Sequence, residues 1–269
     1  MDVDPLGAGP VLDQAQLARL KPTMFGEVVQ LAETTSTNSE LIERAAGGAR
    51  AGLVVVADYQ TAGRGRFDRR WESPPGKSLL SSVLLRPSEV DLPAPRRHLA
   101  VAAVSLALVD GAEAVAGAEV QLKWPNDLVV GDLKLAGVLA ESASDGSLVV
   151  GAGVNVDWAP DGLPVTYLSA ACGRPVDRGD VLVETLLALD RLYGHWDLVS
   201  RRYRTACTTV GREVTVQLAD TAPALRGLAV AVDEQGRLVV RAGDGSQVTV
   251  AAGDVTHVRP SGAPSLSAQ

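Results

Sequence analysis

Residues 52–86 read GLVVVADYQTAGRGRFDRRWESPPGKSLLSSVLLR, two apolar runs separated by a long polar segment. The run at 52–60 includes four consecutive apolar residues at 53–56 and predicts a buried strand. The run at 78–86 predicts a second strand. The intervening loop at 60–77, about 18 residues, is unusually long for a compact domain, and loops of this length are usually functional or mobile.

The centre of this loop is GRGRFDRR, residues 63–70, with four arginines, two glycines and one aspartate. Glycine lets the backbone approach a ligand closely, and arginine offers fixed positive charge in bidentate geometry, so the pattern suits a phosphate or a carboxylate. It is neither a Walker loop nor a complete GxGxxG fingerprint, because the third glycine is absent. A solvated basic loop and a nucleic-acid-binding loop are the alternatives.

Outward from this loop, the chain alternates predicted strands and helices. A strand is predicted within 25–38, where Ser36, Thr37 or Asn38 can cap the helix that follows. That helix is predicted at 39–46. An alanine-rich apolar helix is predicted at 95–117, and a helical region is predicted at 180–205. Further strands are predicted at 119–124, 134–142 and 147–156. These elements predict one large domain in which helices pack on a sheet.

The pattern changes after residue 208. From Val210 onward, short β-like runs bounded by Gly or Asp predict a five-stranded barrel or sandwich of about 55 residues. The lead-in is rich in Pro, Gly and Asp, with a short helical stretch at 11–20. We therefore divide the chain into a lead-in at 1–22, a large domain at 23–208, a C-terminal domain at 209–262 and a disordered tail at 263–269.

The composition predicts a soluble globular protein, with 46% hydrophobic residues and a formal net charge of −7. No uninterrupted apolar run is long enough to span a membrane, and the start MDVDPLGAGP is acidic where a signal peptide is basic. We therefore expect a cytoplasmic protein with no membrane partner. Cys172 and Cys207 lack CxxC spacing and are expected to be packing residues. The negative charge weighs against general DNA binding.

Three further stretches are too polar or too constrained for the strands they interrupt. They are STN at 36–38, KWPND at 123–127 followed by Lys134, and GAGVN at 151–155. Groups at strand ends commonly line a ligand crevice, so we expect these stretches and the arginine loop to share one site.

The KWPND stretch predicts a rigid turn, because Pro125 restricts its own backbone and that of the preceding residue. The turn presents Asn126 and Asp127, and the latter is a hard-oxygen ligand suited to magnesium carried by a nucleotide. Lys134 is placed to be a counter-charge for a ligand carboxylate. The alternatives are structural: an Asx turn, a snorkelling edge lysine, and a capping or turn asparagine at Asn155.

Five stretches follow one another along the chain: STN, QTAGRGR with RRW and SPPGKSL, KWPNDL, KLAGVLAE and GAGVNV. Taken together and in this order, they resemble the biotin protein ligases, also called biotin–acetyl-CoA-carboxylase ligases. The resemblance runs from about Thr34 to Asn155. It implies an α+β fold with a mixed sheet flanked by helices, like the class II aminoacyl-tRNA synthetases, and a small SH3-like β-barrel at the C-terminus. The resemblance is to the monofunctional type of the family, since the chain has no room for the N-terminal DNA-binding domain of bifunctional members.

The same resemblance implies roles for particular residues. Ser36, Thr37 and Asn38 would line the biotin pocket, with Gln60 near the ring system. Arg64, Gly65 and Arg66 would close over biotin and the adenylate phosphate. Lys134 would contact the biotin carboxylate or the phosphoryl oxygen. Besides Arg66, the ATP side would contain Trp71, Lys123, Asn126, Asp127 and Asn155, with Asp127 near Mg²⁺. Arg64, Arg66 and Lys134 are the implied catalytic groups. Relatives often have glycine or another small residue where Phe67 and Asp68 stand.

The implied reaction uses ATP to convert biotin to biotinyl-5′-AMP and then transfers biotin to a lysine of a biotin carboxyl carrier domain of acyl-CoA carboxylases. The loop at 60–77 would be a lid that protects the adenylate from water. A lipoate or octanoate ligase, which shares the fold but not GRGR with KWPND, is one alternative. A nucleic-acid-binding regulator is the other. The oligomeric state stays open, with a homodimer among the alternatives.

Overall fold

The computed structural model describes residues 10–67, 69–217, 224–251 and 253–257. Its α-helices are α1 Gln14–Leu20, α2 Thr37–Ala46, α3 His98–Ala116, α4 Leu168–Cys172, α5 Arg178–Leu192 and α6 Trp196–Ala206. Its strands are β1 Val28–Thr34, β2 Val54–Gln60, β3 Ser78–Leu85, β4 Gln121–Lys123, β5 Asp127–Val130, β6 Leu133–Ser142, β7 Leu148–Asn155, β8 Glu213–Gln217, β9 Leu225–Val232, β10 Leu238–Ala242, β11 Gln247–Val250 and β12 Asp254–His257.

The large domain is built on a seven-stranded mixed sheet in the order β1-β2-β3-β7-β6-β5-β4. Strands β1 and β2 run parallel, and the other neighbouring pairs run antiparallel. The central strands β2 and β3 are almost wholly buried. This is the mixed sheet flanked by helices that the sequence predicts.

Alternate residues of the central strands face different helices. On one face, Val54, Val56 and Leu79 join the main core with α3 and α5. On the other face, Val55 and Leu84 pack with Leu41 of α2 in a smaller cluster. Because side chains alternate along a strand, Ser82 of β3 shares the α2 face with Leu84. The α2 face therefore receives the polar and glycine positions of the central strands.

Helix α3 is long and apolar enough to cross a bilayer, but 72% of its apolar window is buried inside the protein. It packs mainly against α5, and its buried residues lie on nearly every side. The helix ends at Gly117, which has a left-handed backbone conformation with φ of 66°. Its apolar composition is that of a core helix.

The N-terminal lead-in packs onto the large domain from residue 10 onward. Helix α1 begins with a capping box in which Asp13 and Gln16 each accept a backbone hydrogen bond from the other. Val11, Leu12 and Leu20 are buried in the main core. The observed helix is shorter than the predicted stretch at 11–20.

Four features differ from the sequence-based prediction. The residues after KWPN form a strand, β5, which the sequence pattern does not predict because the strand has only four residues, three of them apolar. Helix α4 was missed for a similar reason, since it has five residues. The helical region at 180–205 is two helices, α5 and α6, because the chain turns at Gly194, where φ is 93°. GAGVN lies inside β7 and only its Asn155 is at the strand end.

The C-terminal domain contains the five predicted strands, in the order β11-β10-β9-β8-β12. All neighbouring pairs are antiparallel. Its apolar residues Val214, Val216, Ala229 and Leu238 belong to the same buried cluster as the large domain's core. The expected disordered tail at 263–269 lies outside the described residues.

Candidate active site

A cavity of about 620 Å³ opens on the α2 face of the large sheet. Its volume lies within the range of small-molecule sites. All thirteen residues singled out from the sequence line it: Ser36, Thr37, Asn38, Gln60, Arg64, Gly65, Arg66, Trp71, Lys123, Asn126, Asp127, Lys134 and Asn155. The structure therefore brings together, around one space, every side chain that the sequence placed at a shared site.

Glycines make the floor of this cavity. Gly153 of β7 and Gly137 of β6 are paired across the sheet, and a side chain at Gly153 would overlap the indole ring of Trp71. The neighbouring Gly151 faces Asn38, and a side chain there would overlap the Asn38 amide. The pattern GAGVN is therefore explained by clearance, since the floor must let Trp71 and Asn38 approach the backbone.

One wall of the cavity consists of uncharged polar groups, and we call it the amide wall: Thr37, Asn38 and Gln60. The backbone N–H and the hydroxyl of Thr37 lie 2.8 and 3.1 Å from Oε1 of Gln60. The Ser82 hydroxyl lies 2.7 Å from Thr37 Oγ1 and 2.6 Å from Asn38 Oδ1. Thr37, Asn38 and Ser82 are at most 4% exposed. Buried groups joined in this way are held in one geometry.

The opposite wall carries charge, and we call it the charged wall: Arg66, Asn126, Asp127 and Lys134. Nζ of Lys134 lies 2.7 Å from Oδ1 of Asp127, and the two side chains are 35% and 23% exposed. Arg66 donates to Oδ1 of Asn126 at 3.2 Å. These groups are partly solvated, in contrast to those of the amide wall.

A β-bulge aims Lys134 into the cavity. Strands β5 and β6 pair Asp127 with Gly137 and Leu128 with Ala136, but Val129 pairs with Lys134. The extra residue in β6 reverses the alternation of side chains. Lys134 and Gly137 therefore share the cavity face although they are three positions apart, an odd number. Simple alternation along KLAG would place Lys134 on the core face.

The KWPND turn is held from behind by the C-terminal domain. The Trp124–Pro125 peptide bond is cis, and Trp124 is 2% exposed. Its indole Nε1 donates to the carbonyl of Gly236 at 2.9 Å, while the Tyr203 hydroxyl donates to the carbonyl of Pro125 at 3.2 Å. Burial raises the pKa of Tyr203, which keeps this donor protonated. The turn is thus rigid, as its sequence predicts.

The loop between β2 and β3, residues 61–77, covers the cavity, and we call it the lid. Its tip is a small hairpin in which Gly65 N donates to Arg69 O at 2.7 Å and Trp71 N donates to Gly63 O at 3.0 Å. Arg66 reaches the carbonyl of Gly253 at 3.4 Å, so the lid also contacts the C-terminal domain.

Phe67, at the hairpin tip, has φ of 55°. A bulky side chain is strained in this left-handed region, whereas glycine is not. A glycine would therefore occupy this position without strain. The Phe67 ring is 57% exposed and lies 4.8 Å from the Arg66 guanidinium carbon. Asp68 lies outside the described residues.

Magnesium has one carboxylate available in the charged wall. Among residues 10–67, 69–217, 224–251 and 253–257, no three His, Cys, Asp or Glu side chains form a metal-binding group. Nucleotide-bound Mg²⁺ is usually held by one or two carboxylates together with phosphate oxygens. Asp127 is a single carboxylate of this kind, and the described residues do not form a metal-binding group by themselves.

The two cysteines and Asn155 have structural contacts. Both thiols are free, Cys207 being buried, and burial raises the pKa of the Cys207 thiol. A thiol of this kind is a poor nucleophile, in agreement with the packing role expected from the sequence. Asn155 Nδ2 donates to the carbonyl of Thr166 at 2.9 Å, and the residue also lines the cavity.

Two family models match the chain. Residues 29–157 match the biotin/lipoate A/B protein ligase family, and residues 209–258 match the biotin protein ligase C-terminal domain. A biotin–acetyl-CoA-carboxylase ligase of Mycobacterium tuberculosis is 37% identical over 240 residues, which cover 85% of this chain and 88% of the relative. This chain belongs to the biotin protein ligase family.

Further relatives agree with this ligase assignment. A biotin–acetyl-CoA-carboxylase ligase of Paracoccus denitrificans is 31% identical, over 82% of this chain and 97% of the relative. The solved biotin protein ligase of Aquifex aeolicus, in complex with biotin and ATP, superposes with a TM-score of 0.73 at 27% identity, covering 87% of this chain and 99% of that one. The predicted fold, a mixed sheet flanked by helices and followed by a small C-terminal β-domain, is confirmed.

The structure adds two residues that contact cavity-lining side chains and that the sequence did not indicate. Ser82 lies in a wholly buried strand and joins two residues of the amide wall. Glu141, near the end of β6, accepts hydrogen bonds from Arg64 and Asn38. A serine in a buried strand is the one signal that could have identified Ser82. Nothing in the local sequence distinguishes Glu141 from an ordinary exposed glutamate.

Proposed function

We propose that this enzyme activates biotin with ATP and transfers the biotinyl group to a lysine of a biotin carboxyl carrier domain. The single observation that carries the proposal is the cavity of about 620 Å³ in which the thirteen predicted residues meet. It combines a buried neutral wall with a charged wall, and a molecule with an uncharged ring system and a carboxylate matches both.

The chemistry requires two anions to meet. A carboxylate is a poor acyl donor because oxide is a poor leaving group. Its oxygen therefore attacks the α-phosphorus of ATP, the bond from that phosphorus to the bridging oxygen breaks, and pyrophosphate leaves. Arg64, Arg66, Lys123 and Lys134 line the cavity and would offset the repulsion and stabilise the charge that spreads over the phosphoryl oxygens. Mg²⁺ would supply further positive charge, with Asp127 as its protein ligand.

In the second step, the lysine amine of the carrier domain attacks the acyl carbonyl, an amide bond forms, and AMP leaves with the electrons of the broken acyl–oxygen bond. We assign the amide wall, with Ser36, to the biotin ring system. Trp71, Lys123 and Asn155 are assigned with the charged wall to the nucleotide. The indole Nε1 of Trp71 is buried without a hydrogen-bond partner among the described residues. This free donor supports the assignment of Trp71 to ligand binding on the nucleotide side of the cavity.

The lid would protect the adenylate from hydrolysis. Its arginines contact both the amide-wall side and the charged wall, through Glu141 and Asn126 respectively. We also propose a cytoplasmic location, which two free cysteines support.

The decisive experiment incubates the protein with biotin, ATP, magnesium and a carrier domain, and measures the mass of the carrier. An increase by one biotinyl group on a single lysine is expected. Modification with lipoate or octanoate in place of biotin would instead assign the other acyl ligase activity of this family. In a DNA mobility-shift assay, a DNA-binding constant that hardly changes with salt concentration, with a slope near zero, would exclude the alternative of a nucleic-acid-binding regulator.

A further inference from the structure

Glu141 connects the lid to the amide wall. It lies on β6 two residues beyond Leu139, which lines the cavity. Strand alternation therefore places Glu141 on the same face as Gly137 and Leu139. Its Oε2 accepts a hydrogen bond from Asn38 Nδ2 at 2.7 Å. The same carboxylate lies 2.9 and 3.0 Å from Nη2 of Arg64.

The contact with Glu141 uses only one nitrogen of the Arg64 guanidinium. Nη2 makes both short contacts, and among the described residues none accepts a hydrogen bond from Nε or Nη1. The N–H groups of Nε and Nη1 point in different directions from the planar guanidinium, so each of these nitrogens can make its own further hydrogen bond to an anion while Nη2 is held. Arg64 is therefore anchored and still has donors for a second anion.

The anchor on the other side is rigid. Asn38 is 4% exposed, and its Oδ1 is 2.6 Å from the hydroxyl of Ser82. Gly151 leaves no room for a side chain beside this amide. The position of the Glu141 carboxylate is consequently set by a buried group, whereas Arg64 belongs to a long loop with a side chain that is 45% exposed.

We propose that Glu141 is a positioning residue for Arg64: its carboxylate holds the lid arginine at the cavity mouth and leaves Nε and Nη1 for the anion of the ligand. Without the anchor, Arg64 must be ordered at the cost of binding energy each time a ligand enters. Glu141 therefore tightens binding of the acyl substrate and retention of its adenylate, and it takes no part in the chemistry. This inference rests on the proposed function.

The test compares Glu141→Gln with Glu184→Gln. Glu184 pairs with Arg19, and that pair is 29% and 46% exposed, matching the 29% and 45% of Glu141 and Arg64. Glutamine keeps one acceptor for Asn38 and removes the charge. The KM for biotin is expected to rise about three- to tenfold in Glu141→Gln, equivalent to about 0.6–1.4 kcal/mol, with kcat changed less than about twofold. Glu184→Gln is expected to match the wild type.

A double-mutant cycle separates positioning from a structural role. If Glu141 acts through Arg64, the variant Arg64→Gln with Glu141→Gln binds biotin as weakly as Arg64→Gln alone. Additive losses would overturn the proposal, since they would mean that Glu141 acts through Asn38 or the fold. If the glutamine variant fails to fold, Glu141→Asp, which keeps the charge, enters the same cycle.

A ligand-free measurement keeps this inference distinguishable from the proposed function. Trypsin cleavage after Arg69 and Arg70 is expected to be about three- to tenfold faster in Glu141→Gln than in Glu184→Gln, because the lid loses its anchor. Equal cleavage, together with an unchanged KM for biotin, would overturn the anchor. If the wild type forms no biotinyl adenylate, the proposed function fails, and the cleavage rates still test the anchor.

Discussion

The two walls of the cavity are built in opposite ways. In the amide wall, Thr37 and Asn38 are at most 4% exposed and are joined by hydrogen bonds to Gln60 and to the buried Ser82 behind them. In the charged wall, Lys134 and Asp127 remain 35% and 23% exposed and are held mainly by an ion pair. A buried polar network is costly to disturb, whereas a partly solvated ion pair contributes little to stability and can exchange partners. The first suits recognition of a fixed neutral shape, and the second suits charges that arrive and leave.

The largest expected effect comes from the charged wall. Lys134→Ala should lower the rate of adenylate formation about 10²–10³-fold, because it removes a cation that stabilises developing charge. The free energy of unfolding should change by less than about 1 kcal/mol, as the pair is partly exposed. Pyrophosphate release and urea unfolding measure the two quantities. Arg202→Ala is the control, since Arg202 pairs with Asp110 at 2.7 Å with similar exposure, 37% and 29%, and neither residue lines the cavity. Equal losses in both variants would contradict the assignment.

Next in size is the effect of ligands on the lid. Because the lid arginines reach Glu141 beside the amide wall and Asn126 of the charged wall, biotin with ATP should slow proteolysis at residues 64–70. Each ligand present at about 100 times its Kd should contribute about 100-fold to the slowing. Limited proteolysis followed by mass spectrometry measures the rate. Cleavage that is the same with and without ligands would show that the lid does not close over the site.

Gly151→Ala should affect the amide wall, and through it stability. The new methyl group would overlap the amide of Asn38, and such overpacking typically costs about 1–3 kcal/mol. Urea denaturation should show this loss together with weaker biotin binding. Gly243→Ala is the matched control, because Gly243 has nothing within 4 Å of an added methyl group. An unperturbed Gly151→Ala protein would mean that the amide wall is not rigid.

The smallest effect is expected at the lid tip. Phe67→Gly relieves a left-handed backbone strain of about 1–2 kcal/mol, but it loses the ring's contact with Arg66, worth about 0.5–1 kcal/mol, and adds the entropy of glycine. These contributions nearly cancel, so thermal unfolding and biotinylation rate should stay close to the wild type. A loss of activity above about tenfold would assign Phe67 a role in ligand contact.

Much of the site could be predicted from the sequence because its groups violate local expectations. Four arginines and two glycines lie between two buried strands, and Asn126 and Asp127 follow a proline. Such polar groups do not contribute to a hydrophobic core, so their presence at these places indicates a ligand site. The five-stranded C-terminal domain was predictable because its turns are marked by Gly and Asp. Strand β5 and helix α4 were not, since four or five residues carry too little periodicity to identify an element.

The chemistry of the site can be read from the sequence, which shows the charges, amides and glycines that are available and their order along the chain. Which of these groups meet depends on the fold. The bulge opposite Val129 turned Lys134 to the cavity, and strand pairing brought Gly137 beside Gly153. Folding also joined Arg64 to Glu141, 77 residues away in the chain. Such contacts depend on strand register and on the path of the lid, which are set by packing over the whole sheet and leave no local pattern.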